Sequence, residues 1–229
     1  MYHAVGSRAL GDTGGSFSIS PDRFRVHMEV LASYSAATTV RLAPGEVPQT
    51  GLRVAVTFDD GYRDNLTVAA PILSALRIPF AVFISTDHVK SRAAGFLEPE
   101  DVVELAQLPD VTIGAHGKSH RPLTSCNDTE LTEELWSSKR YLEDLLGRTI
   151  SSIAYPYGAV DLRVRTEARR LGFDLGVGTR FDINGPAADR LVLSRCNIER
   201  DDTTRVLRQK LQGDWDWYRW RTRELQRPA

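Results

Sequence analysis

The feature that most constrains the fold is an alternation of short β-branched or aromatic runs with longer helical patterns. Residues 80–84 (FAVFI) and 111–115 (VTIGA) are typical of buried strands. Four further runs predict strands at residues 53–58, 152–155, 175–177 and 191–194. Helical patterns predict helices at residues 23–31, 65–76, 130–146 and 162–171. Such an order predicts parallel β/α units, and hence either an open doubly wound sheet or a barrel.

Two of these helices carry local signals of their own. Pro71 lies inside the stretch 65–76 and removes a backbone donor, so we expect that helix to kink or restart. For the helix 130–146, Thr129 is the predicted cap and Gly147 the predicted stop.

Composition sets limits on the class of protein. The chain has 229 residues, 41% of them hydrophobic, which suits one domain spanning residues 1–229. Its 29 basic and 30 acidic residues give a net charge of -1, so we expect no nucleic-acid partner. No apolar run approaches the ~20 residues of a membrane span. The start lacks a basic and an apolar signal region, which predicts a cytoplasmic protein, although a processed or N-terminally truncated secreted protein fits equally. The oligomeric state is left open.

The first polar strand end is Asp59-Asp60-Gly61, which follows the apolar run 54–58. Carboxyl ends of strands line the active face of parallel α/β folds, and adjacent carboxylates there are costly to desolvate unless a cation or a shared proton compensates them. For this tripeptide alone, a turn or a helix cap is the simpler interpretation.

A second predicted strand, 111–115, ends at His116-Gly117-Lys118-Ser119-His120. If this loop makes one helical turn, both imidazoles share a face and can bind one metal ion. Two histidines and a carboxylate leave coordination positions open, as in catalytic sites. Two unrelated surface histidines are the alternative, which becomes weak once the Asp-Asp strand end is considered with them.

The third strand end is Tyr155-Pro156-Tyr157-Gly158. A rigid turn of this kind can present a backbone N–H to a developing oxyanion, and taken alone it is a plain turn with aromatic packing.

In this order, Thr57-Phe58-Asp59-Asp60-Gly61, His116-x-x-x-His120 and Tyr155-Pro156-Tyr157-Gly158 resemble the first three motifs of the polysaccharide deacetylases, carbohydrate esterase family 4. The opening Tyr2-His3 and residues 18–24 resemble the exopolysaccharide-type branch. The resemblance implies a distorted (β/α) barrel of about seven parallel strands, acting on acetylated carbohydrate and mainly on the N-acetyl groups of N-acetylglucosamine units.

The resemblance also implies roles for individual residues. Asp60, His116 and His120 would hold one divalent metal ion, by default zinc, with cobalt, nickel or manganese as alternatives. Asp59 would be the general base for the attacking water, and the Tyr157 N–H would bind the oxyanion. We assign Tyr155, Pro156 and Asn184 to the substrate groove, the last because it follows the strand 175–177.

The sequence departs from the family pattern at two positions. Many members carry an arginine where Ala154 stands, and a histidine that serves as general acid in the last motif. Here the corresponding stretch is Leu193-Ser194-Arg195. We hypothesise that Arg195 replaces the missing arginine and holds Asp59 by charge-assisted hydrogen bonds, with a surface ion pair as the alternative. The general acid stays unassigned, because arginine has too high a pKa for that role.

Three other functions fit parts of these observations. The departures at Ala154 and Arg195 allow a weakly active or inactive carbohydrate-binding homologue, although every predicted metal ligand and the base are present. Hydrolysis of another small amide is a second alternative. Two histidines and one carboxylate also describe non-haem iron oxygenases, but the additional Asp59 favours a hydrolytic water.

Overall fold

The computed structural model describes residues 1–42 and 51–218. Its centre is a sheet of five strands, all parallel and in sequence order: β5 (Val56–Phe58), β6 (Phe80–Ile84), β7 (Val111–Ala115), β8 (Ser152–Ala154) and β9 (Leu175–Val177). Three of these strands, β6, β7 and β9, have the predicted bounds. Their residues are almost all buried, which is why an apolar run marks them in the sequence.

The sheet curls until its two edges meet. A parallel bridge joins Tyr2 to Phe58 at one edge, and another joins Val177 to Leu193 at the other. Ile198 N donates to Met1 O (2.9 Å), which links the chain beyond the second edge to the chain at the first. The predicted distorted α/β barrel is therefore confirmed, with five strands and two bridged edge segments.

Four short strands lie outside this sheet, in two parallel pairs: β1 (Ala4–Val5) with β2 (Ser18–Ile19), and β3 (Ala37–Thr39) with β4 (Leu52–Val54). The single strand predicted at 53–58 is thus wrong. Ala55 separates two strands that belong to different sheets, β4 and β5. The predicted strand 191–194 is reduced to the bridge at Leu193.

Seven α-helices connect and cover the strands in the described part of the chain: α1 (Pro21–Ala32), α2 (Ala70–Ala75), α3 (Thr86–Lys90), α4 (Pro99–Gln107), α5 (Asp128–Leu146), α6 (Leu162–Arg170) and α7 (Thr204–Gln212). The predicted restart at Pro71 is confirmed, since a π-helical turn (Asn65–Ala69) precedes α2 and Pro71 lies in the first turn of α2. The Thr129 cap is wrong. Asn127 caps α5 in a capping box with Glu130, and Gly147 ends it in the left-handed conformation.

The two faces of the sheet are buried in two apolar clusters. On β6, Phe80, Val82 and Ile84 join the large cluster under the helices, whereas Ala81 and Phe83 join a small cluster with Ala154, Leu175 and Val177. This alternation follows the two-residue period of a strand. None of the helices in the described ranges is long and apolar enough to cross a membrane.

Candidate active site

Three polar strand ends meet at one edge of the sheet. Asp59 and Asp60 follow β5. His116 follows β7, and His120 lies in the loop after it. Tyr157 follows β8. Because all five strands are parallel, their carboxyl ends lie at the same edge, the usual place for an active site in such folds. The curl of the sheet then brings the loops after β5, β7 and β8 towards one another.

Asp60, His116 and His120 form a compact cluster. The Oδ1 atom of Asp60 lies 3.3 Å from Nε2 of His116 and 3.1 Å from Nε2 of His120, and the three atoms lie within 4.8 Å of one another. All three predicted ligands are therefore brought together. Two imidazole nitrogens and a carboxylate oxygen are a donor set that zinc and similar divalent ions accept.

The hydrogen bonds around this cluster fit a metal ion. Nδ1 of His116 lies 2.8 Å from the carbonyl oxygen of Ala154, which can only accept, so Nδ1 carries a hydrogen. Nε2 then faces Asp60 Oδ1, a buried atom that has no hydrogen-bond partner among the described residues. A positive charge between these two atoms, either a proton on Nε2 or a bound metal ion, compensates the buried carboxylate. Histidines that bind a metal ion through one ring nitrogen commonly donate the N–H of the other nitrogen to a backbone carbonyl, as His116 does here.

The electrostatics of the cluster also favour a cation. Burial acts to raise the pKa of Asp60, but the His116 and His120 rings hold that pKa well below its ordinary value. Burial acts to lower the pKa of His116, yet the carboxylates of Asp59 and Asp60 raise it. Both shifts show that the pocket stabilises positive charge beside the two carboxylates.

Arg195 contacts Asp59 with both arms of its guanidinium group. Nη1 donates to Oδ1 (2.8 Å) and Nη2 donates to Oδ2 (2.7 Å). The arginine is fixed in turn, because Nη1 reaches Thr57 Oγ1 (3.1 Å) and Nε donates to Gly178 O (2.8 Å). Both side chains are buried. Burial acts to raise the pKa of Asp59, but Arg195 and then His116 lower it to about 2, so the carboxylate is ionised at neutral pH.

Tyr157 lies at the rim of the cluster. Its side chain is 66% exposed, and its ring centre lies 4.8 Å from that of His120. Asp60, His120 and Tyr157 all adopt positive φ angles of 74°, 58° and 59°. Residues other than glycine rarely adopt this backbone conformation, and those that do are concentrated at functional sites.

The three predicted substrate residues lie in different surroundings. Tyr155 is fully buried and its hydroxyl donates to Leu191 O (2.8 Å), so its side chain belongs to the core and the prediction of a groove residue is corrected. Pro156 is buried as well. Asn184 lines a cavity that Thr57 and Arg195 also line, and its amide donates to Ser194 O (2.9 Å) and accepts from Ser194 N (2.8 Å).

His3 lies near the cluster and was not among the predicted site residues. The bridge between Tyr2 and Phe58 places it beside the strand end that carries Asp59. Burial lowers the pKa of His3, although the nearby carboxylates of Asp60 and then Asp59 act to raise it. Its Nδ1 atom is buried with no hydrogen-bond partner in the described residues. The Tyr2-His3 opening was the only signal for it in the sequence.

A curled parallel sheet with two histidines and two carboxylates at its carboxyl edge defines an α/β-barrel protein with a candidate hydrolytic metal centre. Comparison with known proteins then identifies the family. The chain belongs to the polysaccharide deacetylase family, whose profile matches residues 46–176.

Relatives agree with this assignment. YxkH of Bacillus subtilis, which carries the name of a polysaccharide deacetylase, is 26% identical over 185 residues, or 78% of this chain and 63% of YxkH. Chitin deacetylase 1 of Cryptococcus neoformans is 27% identical over 126 residues, or 55% of this chain and 25% of that protein. The chain thus spans less than two thirds of the length of either relative. The structure of the Streptococcus pyogenes deacetylase PplD in complex with acetate superimposes with a TM-score of 0.80 at 26% identity, covering 92% of this chain and 96% of PplD.

Proposed function

We propose that the chain is a metal-dependent deacetylase that hydrolyses acetyl groups, mainly the N-acetyl groups of N-acetylglucosamine units, on a polysaccharide or oligosaccharide. The observation that carries the proposal is the Asp60, His116 and His120 cluster beside a buried, ionised Asp59. Membership of the polysaccharide deacetylases and the likeness to PplD, which was solved with acetate, support the acetyl group as the target.

In this proposal Asp60, His116 and His120 hold one divalent metal ion, by default zinc, with cobalt, nickel or manganese as alternatives. When bound, the ion supplies Lewis acidity, which polarises the acetyl carbonyl and lowers the pKa of a water ligand towards about 7.

Asp59 takes the proton of the attacking water. Arg195 occupies one lone-pair direction on each carboxylate oxygen of Asp59, and the remaining lone pairs are available to accept that proton. The same two bonds fix the direction in which the carboxylate points, so Arg195 acts as the positioning group that the resemblance places at Ala154 in other members. The Tyr157 N–H donates to the oxyanion as charge develops on the acetyl oxygen.

The leaving amine needs a proton, and His3 is the candidate donor. Its buried Nδ1 has no hydrogen-bond partner in the described residues, and the carboxylates of Asp60 and then Asp59 act to raise its pKa. Because burial keeps its pKa low, His3 would start neutral, take up the proton that Asp59 has removed from the water, and pass it to the amine nitrogen as the C–N bond breaks. Replacing His3 with glutamine should lower kcat far more than it changes KM.

The test is acetate release from N-acetylglucosamine oligomers. Chelator-treated protein is assayed without metal and after addition of zinc or cobalt, beside the Asp59→Asn variant, which keeps the shape of the side chain but cannot act as a base. We expect metal to restore release in the wild type and not in the variant.

The other outcomes separate the alternative functions. Oligomer binding without acetate release, despite bound metal, would indicate a carbohydrate-binding homologue. Release of a different carboxylate from simple amides, with no acetate from oligomers, would indicate another amide hydrolase. Activity that requires oxygen would indicate an iron oxygenase.

A further inference from the structure

The loop that joins the two candidate metal-binding histidines depends on contacts from outside itself. His116 is fixed by its strand and by the carbonyl of Ala154. His120 has no equivalent, since no main-chain oxygen in the described part of the chain accepts from its ring, and its side chain is 24% exposed. Gly117 and His120 both have positive φ angles, of 71° and 58°. An external group is needed to keep such a loop in one conformation.

Glu134 is the side chain that does so, beside main-chain hydrogen bonds from Thr86 N to Gly117 O (3.3 Å) and from Asp87 N to Lys118 O (2.8 Å). It lies on α5, and it is only 5% exposed. Its Oε2 atom accepts hydrogen bonds from the main-chain N–H groups of Lys118 and Ser119, both at 2.9 Å, and its Oε1 atom accepts from Ser119 Oγ. The carboxylate therefore holds the middle of the loop, directly before His120.

The close approach of helix and loop also accounts for Gly117. A Cβ atom at this position would lie 3.3 Å from Oε2 of Glu134. A side chain here would press on the carboxylate and would also be strained by the positive φ angle. Gly117 thus allows the loop to lie close against the carboxylate.

The carboxylate of Glu134 is compensated only while the loop keeps this conformation. A buried carboxylate is costly unless donors compensate it, and its three donors here all come from the loop. The nearest lysine does not replace them, because Lys118 Nζ bonds to the neighbouring Glu133 at the surface. If the loop moved away, Glu134 would lose all three bonds at once.

We infer that Glu134 is a positioning residue of the metal centre, which holds residues 118–119 so that His120 faces Asp60 and His116. The inference rests on the proposed function, because it requires these three residues to bind a metal ion. It adds a residue that contacts neither metal nor substrate and that acts through the loop conformation.

The experiment measures cobalt affinity by competition with a chromophoric chelator, together with the visible absorption spectrum of the bound ion, which reports ligand geometry. Glu134→Ala removes all three contacts, and Glu134→Gln keeps an oxygen that can accept from the two N–H groups. Glu133→Gln is the matched control on the same helix and the same loop. Circular dichroism and thermal unfolding check that each variant is folded.

We expect Glu134→Ala to weaken cobalt binding by about 10- to 100-fold with an altered spectrum. Glu134→Gln should recover part of the affinity, and Glu133→Gln should match the wild type. If Glu134→Ala does not fold, Glu134→Gln and Ser119→Ala decide the question, and we expect a smaller loss of affinity in each.

Two results would overturn the inference in distinguishable ways. Wild-type affinity and an unchanged spectrum in folded Glu134 variants would remove the role of Glu134 and leave the proposed function intact. A wild-type protein that binds none of the divalent ions tested would remove the metal centre itself, and with it both proposals.

Discussion

Replacing Arg195 with methionine tests the pair that it forms with Asp59. Methionine keeps much of the volume of the side chain and removes its charge and its five donors. Because the two groups are almost completely buried, the variant leaves an ionised carboxylate with little solvent and without its main partner. We therefore expect a loss of stability and a displaced base, each measurable separately.

The expected loss of stability follows from the charge separation, from the pKa of Asp59 and from the usual cost of breaking a buried ion pair. At a charge separation of about 4 Å and an effective dielectric constant of about 20, the attraction is about 4 kcal/mol. The pKa of Asp59 is about 2 in the folded protein against an ordinary 3.8, and this net difference after burial corresponds to about 2 kcal/mol. Breaking a buried pair by removing one partner usually costs about 3–5 kcal/mol. We expect the free energy of unfolding to fall by about 3 kcal/mol in Arg195→Met.

The assay is urea unfolding at pH 7 in the presence of chelator, so that metal binding does not contribute to stability. A double-mutant cycle with Asp59→Asn isolates the interaction. In the double variant no charge is left unpaired, and its destabilisation should be smaller than the sum of the two single losses by at least about 2 kcal/mol. Arg170→Met removes the exposed pair with Glu167 as a control and should change stability by less than about 1 kcal/mol.

The pH dependence gives a second readout of the same pair. A carboxyl group whose folded pKa is lowered contributes stability that is present above its ordinary pKa of 3.8 and is lost as the pH falls towards about 2. This loss should be missing in Asp59→Asn. Additive stabilities in the cycle, together with wild-type acid sensitivity in Asp59→Asn, would refute the reasoning.

Three further predictions concern positions away from the metal centre. Tyr155→Phe removes the hydrogen bond to Leu191 O and should lower the free energy of unfolding by about 1–3 kcal/mol in urea titrations; an increase in KM alone would show that Tyr155 contacts substrate after all. Asn127→Ala removes the cap of α5 and should cost about 1 kcal/mol in the same assay, whereas no loss would mean that Glu130 suffices. His27 is buried with a pKa below its ordinary 6.5, so the unfolded chain binds a proton that the folded chain does not, and stability should fall as the pH drops below about 6.5. In His27→Gln this part of the pH dependence should be smaller, and an unchanged slope would contradict the assignment.

The elements that the sequence predicted well are those whose residues are buried on both faces. The runs 80–84, 111–115 and 175–177 lie in the middle or at one edge of the curled sheet, and nearly every residue in them is apolar or small. The strands Ala4–Val5 and Ser18–Ile19 were missed because two residues form no period. The helices Thr86–Lys90, Pro99–Gln107 and Thr204–Gln212 were also missed.

The part of the candidate site that could be predicted from the sequence consists of polar residues that follow strands. Asp59 and His116 directly follow strands, Asp60 is next to Asp59, and parallel order brings these three residues to the carboxyl end of the sheet, whereas the position of His120 depends on the loop after β7. The long-range pair between Arg195 and Asp59 was predicted through the family resemblance, whereas other long-range hydrogen bonds were not predictable from the sequence. The sequence predicts Tyr155 to be a groove residue, whereas in the structure its buried hydroxyl donates to Leu191 O, 36 positions away. Glu134 lies on the buried face of α5 with Leu131 and Ser138, but no local pattern indicates that its carboxylate contacts the histidine loop.

The departure at Ala154 leads to a last prediction. Ala154 belongs to the small interior cluster with Phe83, and the guanidinium carbon of Arg195 lies 5.6 Å from the centre of the Phe83 ring. An arginine introduced at position 154 would therefore enter the space that Arg195 already fills, adding volume and a second positive charge to a packed region. Ala154→Arg alone should lower both stability and activity. Combined with Arg195→Ala, the new arginine has room to reach Asp59, so the double variant should be more active and more stable than the two single losses predict. A double variant no better than their sum would mean that the two positions do not share one space, and that Arg195 does not replace an arginine at position 154.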